Sequence, residues 1–218
     1  MIERTIPATT HGRYLVVPPA SPRPAPVLVG FHGYAEGAEA QLERMRAIPG
    51  AARWLLISIQ GLNRFYQRRS TDVIAGWMTR QHRDLAIHDN IAYVASVVDL
   101  VCREWPTTST RVYAGFSQGV AMAFRAAAAA SPPASGVIAA GADVPPEIEP
   151  AALRHVGGVL LCHGRQDPLY TPQTFERDLQ RLRDAAVDVR SIDFEGGHEW
   201  AAGVLDAAAA FLAERHHD

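Results

Sequence analysis

The sequence predicts an α/β fold in which a mostly parallel central sheet is flanked by helices. Short β-branched and aromatic runs alternate along the chain with longer segments of helical spacing, which is the order that a parallel sheet requires. A Gly-x-Ser-x-Gly pentapeptide at 115–119 separates one such run from an Ala-rich stretch. Polar residues directly follow other predicted strands, where the carboxyl ends of parallel strands meet at one sheet edge. No second large insertion interrupts this alternation, so no large cap domain is expected.

Hydrophobic periodicity and turn residues give the individual elements. Core strands are expected at roughly 27–31, 54–60, 111–115, 136–141, 157–163 and 187–194. Helices are expected near 38–48, 85–105, 119–130, 172–185 and 199–214. Residues 2–7 and 13–17 are predicted to pair as a hairpin, and a Pro-rich connector at 18–26 leads to the first core strand.

The composition is that of one globular domain spanning residues 1–218. The 218 residues are 48% hydrophobic and 20% charged, which is sufficient for one substantial core. The net charge of −2 provides no field that would attract nucleic acid. Every basic residue is an arginine, and the lack of lysine excludes Schiff-base, Ser-Lys and P-loop mechanisms.

The cysteines and the N-terminal sequence favour a cytoplasmic protein. Cys102 and Cys162 lie in apolar segments without metal-ligand spacing, so we expect two buried thiols, no disulfide, no metal and no other cofactor. No signal-peptide pattern and no uninterrupted apolar run of membrane-spanning length is evident. A cytoplasmic location without a membrane span is therefore expected, and the oligomeric state is left open.

Ser117 is the expected nucleophile, because the 115–119 pentapeptide has the context of a nucleophile elbow. Such a turn from strand to helix holds its serine in a strained conformation and leaves no room for flanking side chains. Gly115 and Gly119 meet that requirement. The helix that begins at Gln118 directs its N–H groups and the positive end of its dipole toward a developing oxyanion.

A serine nucleophile needs a base and an acid that orients the base. In this architecture the acid and then the base follow the serine in the chain. His198 lies in the glycine turn Glu-Gly-Gly-His-Glu-Trp after one predicted strand and is the expected base. Two carboxylates, Asp143 and Asp167, each follow a strand and are candidates for the acid.

Other histidines and acids fit a structural role better. His32 and His163 precede glycines within or at the end of apolar runs, where histidine more often packs and bonds to the backbone. Asp193 falls inside a predicted strand rather than after it.

Two backbone amides are expected to bind the oxyanion. One is the N–H of Gln118, the residue that follows the nucleophile. The other should come from the loop after strand 27–31, where Tyr34 N–H is preferred and Gly33 N–H is the second candidate.

Four motifs in order resemble the phospholipase/carboxylesterase family of α/β-hydrolases, which includes the acyl-protein thioesterases. They are Phe-His-Gly-Tyr at 31–34, Gly-Phe-Ser-Gln-Gly at 115–119, His-Gly-Arg-Gln-Asp-Pro at 163–168 and Gly-Gly-His-Glu at 196–199. The similarity runs from about residue 25 to 211 and implies a catalytic triad with an oxyanion hole. The implied residues are Ser117, Asp167 and His198, with the amides of Tyr34 and Gln118.

The segment 60–84 is too long for a simple connection and leaves the carboxyl end of a strand, so it should overhang the site. Its aromatic residues are predicted to wall a substrate pocket, although core packing is equally open for the tryptophan. Its arginines are candidates for an anionic substrate group, although a solvated loop is the simpler interpretation. The residues are Phe65, Tyr66 and Trp77, and Arg64, Arg68 and Arg69.

These features predict a serine carboxylesterase that hydrolyses short- to medium-chain acyl esters of small molecules through an acyl-enzyme. An acyl-thioesterase, lysophospholipase or lactone hydrolase would use the same triad. A non-catalytic ligand-binding member of the fold is the alternative outside enzymes, and the three polar groups at strand ends argue against it.

Overall fold

The computed structural model describes residues 1–68 and 70–215. The strands are β1 (Arg13–Val17), β2 (Ala25–Phe31), β3 (Leu55–Gln60), β4 (Asn63–Tyr66), β5 (Val73–Gly76), β6 (Thr107–Phe116), β7 (Gly136–Ala140), β8 (Gly158–Gly164) and β9 (Val189–Phe194). The helices are α1 (Ala38–Arg46), α2 (Arg83–Glu104), α3 (Gln118–Ala128), α4 (Pro150–Leu153), α5 (Pro172–Asp184) and α6 (Ala202–Arg215). Short 3₁₀ turns occupy Ala51–Arg53 and Arg154–Val156.

The central sheet has the order β1-β3-β2-β6-β7-β8-β9, with β1 antiparallel and the other strands parallel. Alternate strand residues point to opposite faces, so each face has its own apolar core. Helices α2, α3 and α5 pack on one face, and α1 and α6 pack on the other. The predicted mostly parallel α/β architecture is confirmed.

The predicted N-terminal hairpin is wrong. Residues 1–12 contain no strand, and β1 instead pairs with β3, with Arg13 opposite Gln60. Gly12 lies so close to the Tyr93 ring of α2 that a Cβ there would be 2.0 Å from it, and the Tyr93 hydroxyl donates to Arg13 C=O at 2.9 Å. This packing directs residues 5–10 across α2, where they line a cavity with Tyr93, instead of back along β1.

The long 60–84 segment contains its own two-stranded ribbon, in which β4 and β5 pair antiparallel. Ala75 of β5 exchanges two backbone hydrogen bonds with the loop after β2: Ala35 N–H donates to Ala75 C=O at 3.0 Å, and Ala75 N–H donates to Glu36 C=O at 2.8 Å. The ribbon is therefore attached to the same loop that was expected to supply an oxyanion donor.

Helix α2 is long and apolar enough, by length and composition only, to cross a membrane. In the structure its residues Val94, Val97, Val98 and Val101 are buried against the sheet and belong to the core. The apolar face of α2 therefore packs against the sheet, as the apolar face of a core helix does. Cys102 of this helix is half-buried, whereas Cys162 of β8 is fully buried and its burial raises the pKa of the thiol.

Candidate active site

Ser117 lies in a strained turn between β6 and α3. Its backbone has φ 51° and ψ −125°, a conformation that L residues rarely adopt. A Cβ at Gly115 would lie 2.4 Å from Gly119 C=O, and one at Gly119 would lie 2.1 Å from Phe31 C=O. Both glycines are therefore required for the close approach of helix to strand. Ser117 N–H donates to Ala140 C=O at 2.9 Å, which ties the turn to the end of β7.

Asp167 follows β8 in a tight turn, and its carboxylate is almost completely buried. Its Oδ1 accepts the N–H groups of Leu169 at 2.8 Å and Tyr170 at 3.0 Å. Its Oδ2 lies 2.8 Å from Nδ1 of His198. Both oxygens are thus engaged, which holds the carboxylate in one orientation.

His198 follows β9 on the predicted glycine turn and bridges the other two residues. The turn packs tightly on the end of β8, since a Cβ at Gly164 would lie 2.3 Å from Gly197 C=O. His198 Nε2 lies 2.9 Å from Ser117 Oγ. Because a carboxylate oxygen accepts, the contact with Asp167 fits the tautomer of His198 with its proton on Nδ1, which leaves Nε2 to accept from the serine hydroxyl. The structure therefore brings the three predicted side chains into one hydrogen-bonded row.

The loop after β2 meets the start of α3 beside this row. A Cβ at Gly76 would touch both the Tyr34 ring at 3.2 Å and the Gln118 side chain at 3.3 Å, so these two residues are neighbours. In the part of the chain that the structure describes, neither Tyr34 N–H nor Gln118 N–H has a hydrogen-bond partner. Gly33 N–H, the second candidate donor, instead bonds to Oε2 of Glu36 at 2.7 Å.

The structure corrects the expectation that Trp77 lines a pocket. Its side chain is fully buried, and its ring packs edge-on against Phe31 at 5.5 Å between centroids. Its indole N–H donates to His32 C=O at 2.9 Å. Trp77 therefore packs in the core against the loop after β2, because the β4–β5 ribbon that precedes it docks on this loop.

The other aromatic residues of the segment remain near the surface. Phe65 is half-buried and packs against the Tyr34 ring, with 5.5 Å between centroids and the ring planes tilted by 31°. Tyr66 is exposed on the opposite side of the ribbon, since successive residues of a strand alternate. A substrate contact through Phe65 remains a prediction, and for Tyr66 no contact with the site is seen among the described residues.

The competing acid and the loop arginines have other partners. Asp143 is exposed and lies 3.7 Å from the Arg177 guanidinium. Arg64 donates to His11 C=O at 3.0 Å, which anchors the N-terminal segment. Arg68 is exposed, and Arg69 lies outside the described residues.

Both competing histidines are buried. His32 donates from Nδ1 to Gly33 C=O at 2.6 Å and accepts Gly61 N–H at Nε2 at 3.0 Å, and burial lowers its pKa. His163 lies 2.8 Å from the Asp193 carboxylate through Nδ1. Burial and these hydrogen bonds fit the structural role that the sequence favours for both histidines. His32 bonds to the backbone, whereas His163 bonds to a carboxylate.

A cleft of about 250 Å³ opens beside Ser117 and His198. Four of the lining residues come from α5 and the preceding turn and were not predicted from the sequence: Leu169, Tyr170, Thr174 and Arg177. The spacing of Thr174 and Arg177 places them on one helix face, but only knowledge of where α5 packs would connect that face with the serine. Leu169 is the exposed apolar side chain in an otherwise mostly polar lining.

Within residues 1–68 and 70–215, no cluster of three or more His, Cys, Asp or Glu side chains has the geometry to hold a metal ion.

Comparison with known proteins identifies a matching family model and similar solved structures. No curated protein matches the chain. The esterase PE8 has a similar structure, with a TM-score of 0.72 and 21% identity over 94% of this chain and 99% of that chain. A Bacillus cereus carboxylesterase gives a TM-score of 0.74 and 14% identity over 94% of both chains. Zea mays acyl-protein thioesterase 2 gives 0.73 and 18% identity over 94% and 99%.

These identities are low enough that the structural likeness shows only the fold. The sequence model of one family, described as phospholipase/carboxylesterase, matches residues 13–216, which is nearly the whole chain. The chain therefore belongs to the phospholipase/carboxylesterase family of α/β-hydrolases.

Proposed function

We propose that this protein is a serine carboxylesterase that hydrolyses short-chain acyl esters through an acyl-enzyme. The observation that carries the proposal is the hydrogen-bonded row from the strained Ser117 through His198 to the buried Asp167. A hydroxyl becomes nucleophilic when a neighbouring base accepts its proton, and the base works best when a third group holds its tautomer. A cytoplasmic location remains a prediction.

In this mechanism the Ser117 oxygen attacks the ester carbonyl while His198 Nε2 takes the hydroxyl proton. The tetrahedral oxyanion is held by the N–H groups of Tyr34 and Gln118, which have no partner among the residues that the structure describes. As the C–O bond breaks, His198 gives its proton to the departing alcohol. Water then attacks the acyl-enzyme while His198 Nε2 accepts a proton from it. As the bond between the acyl carbon and Ser117 Oγ breaks, His198 returns that proton to Oγ and the carboxylic acid leaves.

The cleft supports a preference for short acyl groups. A methylene contributes about 0.8 kcal/mol, roughly fourfold in kcat/KM, only while it lies against apolar surface. Most of the cleft lining is polar because it includes Asp143, Thr174 and Arg177. The exposed apolar side chain in the lining is Leu169. Chains longer than a few carbons would therefore leave the apolar contact.

The test is a series of p-nitrophenyl esters from acetate to palmitate. We expect kcat/KM to peak at a short chain, and Ser117→Ala to lower turnover by roughly 10⁴- to 10⁶-fold. Leu169→Ala should reduce the butyrate-to-acetate ratio a few-fold, whereas Val73→Ala, an exposed residue of the ribbon outside the cleft, should not change it. A steady rise to palmitate would contradict the short-chain assignment, and an active Ser117→Ala variant would contradict the mechanism.

A further inference from the structure

A carboxylate lies beneath the loop that would bind the oxyanion. Glu36 accepts Gly33 N–H at 2.7 Å on Oε2. Arg44 of α1 binds the same carboxylate with two parallel bonds, Nη1 to Oε2 at 2.6 Å and Nη2 to Oε1 at 2.5 Å. Both side chains are half-buried, and such a two-bond pair is geometrically well defined. Glu36 therefore couples the loop to a helix.

The peptide unit between Gly33 and Tyr34 is held through its carbonyl group. His32 Nδ1 donates to Gly33 C=O at 2.6 Å, and His32 Nε2 is itself held by Gly61 N–H. The C=O and N–H of a trans peptide point in opposite directions because the unit is planar. A carbonyl directed to His32 therefore sets the direction of Tyr34 N–H.

The loop does not hold this shape by local preference alone. Ala35 has φ 61°, in the region that favours glycine. Such a residue persists only where the surroundings over-determine its conformation. The two bonds with Ala75 hold the backbone on one side, and the Glu36 side chain holds Gly33 on the other.

Arg44 is in turn fixed beneath the reacting groups. Its guanidinium carbon lies 4.2 Å from the centre of the Phe116 ring, and that ring lies 5.1 Å from the His198 ring. Burial acts to raise the pKa of Glu36, but the bonds and charge of Arg44 outweigh it and hold that pKa below its usual value. The carboxylate is therefore ionised and acts only as an acceptor.

We infer that Glu36 and Arg44 are positioning residues, which hold the loop so that Tyr34 N–H is directed at the developing oxyanion. The inference rests on the proposed esterase function. Neither side chain touches substrate in this role, so their effect should appear in the tetrahedral state more than in substrate binding.

The test compares Glu36→Ala, Glu36→Gln and the matched control Glu39→Ala. Glu39 is three residues away and also pairs with an arginine, Arg13, but that pair is exposed. Glu36→Ala should lower kcat about 10- to 100-fold, which is less than the 10²- to 10³-fold loss from removing an oxyanion donor itself. KM should stay within about threefold, because ground-state contacts are unchanged.

Two readouts separate positioning from general damage. The affinity for a trifluoromethyl ketone, which forms a tetrahedral oxyanion on serine, should fall by the same factor as kcat/KM. Glu36→Gln should recover much of the activity, because its amide oxygen can still accept Gly33 N–H, and Glu39→Ala should match the wild type.

If Glu36→Ala does not fold, Arg44→Lys provides the measurement, since lysine keeps the charge without the two-bond geometry. It should lower kcat and inhibitor affinity several-fold. Wild-type kcat and inhibitor affinity in the folded variant, or a loss confined to KM, would overturn the inference. Failure of the wild type itself to hydrolyse esters, with no covalent labelling of Ser117, would instead overturn the proposed function.

Discussion

The molecule contains two histidine–aspartate pairs of nearly the same geometry and opposite exposure. His198 Nδ1 and His163 Nδ1 each lie 2.8 Å from a carboxylate oxygen, of Asp167 and Asp193 respectively. In the first pair the histidine side chain is 22% exposed and the carboxylate 1%. In the second pair the histidine is 2% exposed and the carboxylate 43%.

The difference concerns access to the ring nitrogen that the proposed mechanism uses. In that mechanism His198 exchanges protons with serine, alcohol and water, and its Nε2 faces the serine oxygen at the cleft. The Nε2 of His163 is buried and has no hydrogen-bond partner in the part of the chain described, and its ring stacks on Phe175 at 4.9 Å. We therefore expect the first pair to serve chemistry and the second to serve packing.

Replacing each histidine in turn sharpens the comparison most. His198→Ala should lower kcat by roughly 10⁴- to 10⁶-fold with little change in the free energy of unfolding. His163→Ala should leave kcat per folded molecule within a few-fold but destabilise the fold by about 2–4 kcal/mol, since it opens a cavity in a packed core. Ester kinetics and urea unfolding of both variants measure this, and a large loss of kcat in folded His163→Ala would break the distinction.

Replacing each carboxylate should give the next largest effect. Asp167→Asn should reduce kcat by about 10⁴-fold, because the amide no longer selects the required histidine tautomer. Asp193→Asn and Asp143→Asn should stay within roughly tenfold, since neither carboxylate contacts His198. If Asp143→Asn gave the larger loss, the orienting role would belong to Asp143.

The smallest expected effect is a pH dependence of stability at Asp193. Burial acts to raise its pKa, but hydrogen bonds from Arg165 and His163 outweigh that and lower it. Its contribution to stability is therefore complete above its ordinary value of 3.8 and is lost as the pH falls through the lower value of the folded state.

The unfolding free energies of wild type and Asp193→Asn measure this contribution. Their difference should be below about 1 kcal/mol near pH 7, because the carboxylate is partly exposed, and should shrink below about pH 4. A difference that grows toward acid would contradict the assignment.

The placement of Ser117 and His198 was predictable because each follows a predicted strand, whereas the choice of Asp167 over Asp143 came from the family resemblance. Gly115 and Gly119 indicate the tight turn around the serine. Asp167 and His198 lie in turns that follow two other strands, and a parallel sheet brings the carboxyl ends of its strands to one edge. The structure accordingly brings these side chains together, and their catalytic roles are predictions.

What escaped prediction depends on non-local partners. Residues 2–7 have a strand-like pattern, but β1 is paired with β3 and Gly12 packs on Tyr93 instead. The burial of Trp77 depends on how the β4–β5 ribbon docks on the loop after β2. The role inferred for Glu36 depends on Arg44 in a separate helix, and the sequence shows no pattern that links the two.

The most direct test of the central claim, that Ser117 activated by His198 is the nucleophile, is covalent labelling with a fluorophosphonate followed by mass spectrometry. The account predicts one adduct per chain, located on Ser117, absent in Ser117→Ala. Labelling should be slower by about 10³-fold or more in His198→Ala and unchanged in His163→Ala. An adduct on another residue, or labelling at the wild-type rate in His198→Ala, would contradict it.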